Sequence, residues 1–146
     1  MNKSVQVAPV QPSQAVFSSD PTDSAILHLD GAQGLLWLMQ TSLEPTSKKL
    51  SEHETVGMIT TVQSLIKWAR NELAKDQKNC HDWANVMLWL DGIHGALCVL
   101  SSGYLGDCDL PNHQIQIATL HSLQAVIHEV IRCLSHHGGN DAETNV

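Results

Sequence analysis

The chain is short of positive charge. Eight Lys and Arg stand against fifteen Asp and Glu in 146 residues, a formal net charge of −7 with histidine neutral. That balance argues against nucleic acid or an anionic membrane as the main partner, since both are held by basic patches. The deficit is steepest late in the chain, where residues 79–146 hold only Arg132 against seven acids. The bases between Lys48 and Lys78 are interleaved with Glu and Asp, which describes a solvated helix face better than a binding patch. Cys-x-x-Cys is missing as well. Cys80, Cys98, Cys108 and Cys133 are therefore expected to be reduced thiols in a cytoplasmic protein. The opening residues, Met1 to Gln6, have no long apolar core and do not resemble a secretory signal. No uninterrupted apolar run reaches the thickness of a bilayer, because Asp30 and Asp91 break the longest pieces. No segment alternates at period two, so no sheet is expected. A P-loop, a dinucleotide fingerprint after a strand and a Ser-x-x-Lys motif are all lacking, which weighs against an enzyme.

What the chain does have is a repeat. Leu29-Asp30-Gly31-Ala32-Gln33-Gly34 returns 61 residues later as Leu90-Asp91-Gly92-Ile93-His94-Gly95. Across residues 27–36 and 88–97, six of the ten aligned pairs are identical, where about one is expected by chance. The same offset pairs Ile59 with Leu120, Gln63 with Gln124, Ile66 with Ile127 and Leu73 with Leu134 without a gap. A constant offset over so long a span marks an internal duplication. Two copies are too few for a solenoid. They predict an all-α, four-helix bundle built from two duplicated helical hairpins related by a pseudo-twofold axis.

The expected organisation is a disordered tail over 1–19, a four-helix domain over 20–138 and a disordered C-terminus over 139–146. The first hairpin takes residues 20–78 and the second 79–138. Asp20 and Pro21 open the first helix, with Ala25, Leu29, Ala32, Leu36, Met39 and Leu43 as its core stripe, and Pro45 ends it. Ser51 and Glu54 form a capping box for the second helix, whose core runs through Val56, Ile59, Val62, Ile66, Ala69 and Leu73. The third helix is expected to start near Asn79 and close on a left-handed Gly103, with Val86, Leu90, Ile93, Leu97, Leu100 and Tyr104 as its core. The fourth runs from Pro111-Asn112 to His137, with Ile117, Leu120, Leu123, Ile127, Val130, Ile131 and Leu134 on its apolar side.

Two sets of residues invite a functional reading. Glycine inside a helix is costly, by about 1 kcal/mol against alanine. Asp30, Gly31 and Gly34, with Asp91, Gly92 and Gly95, are therefore expected to form a notch where another backbone comes close, either across the pseudo-twofold axis or from a second subunit. The same two carboxylates could instead bind a ligand. The second set is Asp91, His94, His121 and His128, which could hold zinc or iron between the third and fourth helices. The full Glu-x-x-His pattern of di-iron bundles is missing. Cys98, four residues after His94, could meet that imidazole on one helical face.

The function that fits best is a small acidic interaction module. Its partner is another protein with a basic surface, or a second copy of the chain, and it would act as a regulator or inhibitor. Trp37, Trp68, Trp83 and Trp89 serve either in the core or as interface anchors. No cofactor is expected on this reading. The alternative is a metal-binding helical enzyme or sensor that uses the Asp/His set.

Overall fold

A computed structural model describes residues 20–75 and 82–137. The expectations for the two tails and for a third-helix start near Asn79 lie outside those residues. Four helices make up the described chain: α1 (Pro21–Ser42), α2 (Glu52–Lys75), α3 (Trp83–Leu105) and α4 (His113–His137). The described residues contain no strand.

The helix starts follow from local chemistry. The Asp20 carboxylate accepts the Thr22 N–H at 2.9 Å, with Pro21 next to it in the first helical position. At α2 the Ser51 N–H donates to Glu54 at 2.8 Å and the Glu54 N–H donates back to the Ser51 hydroxyl at 3.2 Å. That is a closed capping box. At α4 the Asn112 side chain accepts the Ile115 N–H at 3.0 Å. Helix α3 begins at Trp83, with Asp82 just ahead of it. The left-handed residue that ends α3 is Gly106, at φ 83°, and not Gly103. The Gly106 N–H reaches the Gly103 carbonyl and the Asp107 N–H reaches that of Ser102, the pattern that satisfies a helix's last carbonyls. Gly103 stays helical and buried because Leu110 packs over it: an added β-carbon would stand 2.9 Å from the Leu110 Cδ1.

All four helices bury a narrow stripe at alternating spacings of four and three. On α1 it runs Ala25, Leu29, Ala32, Leu36, Met39; on α3 it runs Val86, Leu90, Ile93, Leu97, Leu100. These stripes meet in one core to which every helix contributes. The strict spacing corrects the expected stripes by one residue at one end of each helix. The buried position is Ser42 on α1, with Leu43 at the margin; Thr55 on α2, with Val56 at the margin; Gly103 on α3, with Tyr104 at the margin; and Gln116 on α4, with Ile117 and also Ile131 at the margin. Gln116 is tolerated there because it is satisfied at both ends. The Tyr104 hydroxyl donates to its carbonyl oxygen, and its amide donates to the Pro111 carbonyl. Burial, and secondarily the charge of Glu52, pushes the Tyr104 hydroxyl up from its ordinary pKa.

Helix α1 packs along α2 and α4, and α2 packs along α3, whereas α3 and α4 touch much less. Helix α3 also departs from expectation in its apolar content. At 23 residues it is long and apolar enough to cross a membrane by length and composition, because Asp91 is its one charged residue. Its core stripe is packed inside the four-helix domain.

Candidate interaction surface

The Asp-Gly-x-x-Gly segments point outward. Asp30, Gly31, Gly34, Asp91, Gly92 and Gly95 are all exposed. A β-carbon added at Gly34, Gly92 or Gly95 would meet nothing within 4 Å, and at Gly31 it would make an ordinary contact with Leu65. Among the described residues, then, no backbone presses on these glycines and they do not face each other across the core. The reason is the helical repeat: with Leu29, Ala32 and Leu36 turned inward, residues 30, 31 and 34 must turn outward.

Each glycine pair is framed by exposed apolar residues at matching positions. On α1, Leu27 is 71% and Leu38 49% exposed; on α3, Leu88 is 67% and Val99 61% exposed. Leu27-Gly31-Gly34-Leu38 and Leu88-Gly92-Gly95-Val99 share the spacing i, i+4, i+7, i+11, so each set lies on one side of its helix. Each is a low apolar track lying opposite the core stripe. Helices α2 and α4 turn mainly polar residues outward, among them Thr60, Thr61, Ser64 and Lys67 on α2 and His121, Ser122 and His128 on α4. The tryptophans divide by hairpin. Trp37 and Trp68 are exposed, while Trp83 and Trp89 pack against the core. Trp68 also meets the His28 ring edge-on, with centroids 5.3 Å apart, across α1 and α2.

The two aspartates differ in their surroundings. Arg70 of α2 brings its Nε to 2.8 Å from the Asp91 carboxylate and its Nη2 to 3.4 Å. The Nε–H is not aimed at the oxygen, so the contact is an ion pair more than an aligned hydrogen bond. Both side chains are about half exposed, which limits its worth to under about 1 kcal/mol. Asp30 has no such pairing among the described residues. Sequence reasoning missed Arg70, which sits among the interleaved charges of α2; only the fold brings it to α3.

Cys98 Sγ lies 3.7 Å from the His94 Nδ1 and accepts from the Gln63 amide at 3.2 Å, on an exposed stretch of surface. The expected meeting of that thiol with that imidazole is therefore observed. The larger set is not brought together: among the described residues, no group of three or more His, Cys, Asp and Glu gathers as a metal would require. His121 and His128 stand exposed on α4. A shallow groove of about 320 Å³ opens between the end of α1 and the start of α2, lined by residues such as Leu38, Thr41, Leu50 and Met58. It has no convergent set of charged groups. Compared with known protein families, with curated proteins and with solved structures, the chain matches none.

Proposed function

We propose that the protein is a small acidic interaction module of the cytoplasm that docks other proteins on the outer sides of α1 and α3. One observation carries this reading: two tracks of exposed leucine or valine and open glycine lie on the sides of these helices that the core does not use. Scattered exposed leucines are ordinary, but a repeated aligned set is not. The track on α1 is bordered by Asp23 and Asp30, which suits a partner with a basic surface and a regulatory or inhibitory role. The reading needs no cofactor.

The domain is also inferred to be a duplicated hairpin closed by a pseudo-twofold axis into a bundle. In support, every buried position of α1 and α2 corresponds to a buried position of α3 and α4 at the same offset of 61. Ser51 and Asn112, the residues that open α2 and α4, keep that offset too.

The test is a photo-crosslinking residue at Leu27, with one at Ser64 on the polar side of α2 as control. The expected outcome is a discrete adduct from position 27 alone. Its purified partner should bind the chain less tightly at high salt, and about tenfold less tightly after Asp30→Lys. Equal labelling from both positions would remove the proposal.

A further inference from the structure

We infer that the outer track of α3 is the contact through which two copies of this chain associate, antiparallel and with twofold symmetry. The inference rests on the interaction reading above and names the occupant of one of its two surfaces.

The first observation is the lack of cover on α3. It touches α4 least of the neighbouring pairs, and only 33% of its most apolar window is buried. The second concerns the glycines. Glycine is the weakest helix former after proline, and among the described residues a β-carbon at Gly92 or Gly95 would meet nothing within 4 Å, so neither glycine is explained by packing there. A neighbouring helix seated from outside supplies what is missing, because glycines let two backbones approach closely.

The third observation selects the neighbour. Leu88-Gly92-Gly95-Val99 has the spacing four, three, four, which reads the same in both directions. Turned antiparallel about an axis between Gly92 and Gly95, Leu88 of one copy lies beside Val99 of the other, and each glycine lies beside a glycine. That self-complementarity is what an isologous contact demands. Charge points the same way. A chain of net charge −7 can self-associate only where its surface carries little of that charge. Helix α3 has one charged residue, Asp91, and Arg70 neutralises it at 2.8 Å. The equivalent track on α1 keeps Asp23 and Asp30 at its border, which disfavours a second acidic copy there.

The experiment is sedimentation of the full chain over a range of concentrations, with Gly95→Leu on α3 and Gly34→Leu on α1. Thermal unfolding of each variant is recorded at a concentration where the protein is monomeric. The expected result is a reversible dimer that Gly95→Leu weakens about tenfold or more and Gly34→Leu leaves intact, with neither variant melting earlier than the parent. Leu88→Glu, also on the surface, should dissociate the dimer in the same way. A parent chain that stays monomeric at its highest soluble concentration would overturn the inference and leave the crosslinking test at Leu27 standing by itself. A dimer indifferent to Gly95→Leu, or one lost only on Gly34→Leu, would overturn the assignment to α3. So would a monomer that partitions into vesicles of neutral phospholipid through Leu88.

Discussion

Helices α1 and α2 lie close along one another, whereas α3 and α4 touch little, although the two hairpins bury corresponding positions. The difference lies in the size of the residues at those positions. Ala25, Ala32 and Ala69 in the first hairpin stand where the second has Val86, Ile93 and Val130. Small residues at a contact let helix axes approach toward about 8 Å, and branched ones hold them nearer 10 Å. The same pattern of burial therefore gives a tight hairpin and a splayed one. The splayed hairpin needs Gln116 to bridge Tyr104 and Pro111 at its closed end, and it leaves α3 the less covered helix.

The sharpest way to break this comparison is to remove the bulk. Ile93 is 2% exposed, and Ile93→Ala should destabilise by about 2–5 kcal/mol, through lost burial plus a cavity. Denaturant unfolding checks it. A loss under about 1 kcal/mol would mean that α3 collapses onto α4 and that Ile93 does not set their separation. The converse change, Ala32→Ile, forces added volume between α1 and α2 and should cost about 1–3 kcal/mol. If Ala32→Ile instead raises the unfolding midpoint, the first hairpin holds unfilled space, and its closeness has another cause.

A smaller effect separates the two hairpin turns. Ser42 and Gly103 occupy corresponding buried positions. The Ser42 hydroxyl donates to the Met39 carbonyl at 2.7 Å, while Gly103 has Leu110 against it, with the Leu110 Cα only 3.3 Å from where a β-carbon would sit. Gly103→Ala gains helix propensity but must displace the connector, for a net loss of about 1 kcal/mol. Adding Leu110→Ala should recover it, and a double variant no more stable than the single one would rule out the steric account.

Much of the fold was legible because the periodicity is strong. Most core residues of α1 and α3 and the start of α2 follow from spacing and capping chemistry alone. The misplaced core positions share one cause. Alternating spacings of four and three select Thr55 and Gln116 over the more apolar Val56 and Ile117, and hydropathy pulls a reader one position too far. Gly103 was misread because a helix-ending glycine and a packing glycine look alike until Leu110 is seen above one of them. The glycine segments stand out in the sequence, but their direction is not legible from their letters: a buried notch and an outward track look the same, and only the phase of Leu29 and Leu90 separates them. Arg70 was beyond reach, since its meeting with Asp91 depends on how α2 lies against α3.

The smallest expected effect concerns the caps that start the second helix of each hairpin. Ser51 and Asn112 correspond, yet only the first has a titrating partner. The Ser51 backbone N–H, and then its hydroxyl, hold the Glu54 carboxyl below the usual carboxylate range. A group whose folded pKa is lowered adds stability that is fully present above its unfolded value and fades as pH falls through the folded one. The start of α2 should therefore loosen in acid below about pH 4. The start of α4 should not, because the Asn112 amide that accepts the Ile115 N–H does not titrate. Glu129, held low by its hydrogen bond to Arg132, lies far along α4 and titrates away from that cap. Amide NMR shifts of Glu54 and Ile115 followed through an acid titration check the contrast. Glu54 should move with a midpoint below that of a free glutamate and become flat in Glu54→Gln, while Ile115 stays level. If Ile115 moved with the same midpoint as Glu54, the two caps would be coupled through the core, and the hairpins would not hold their starts independently.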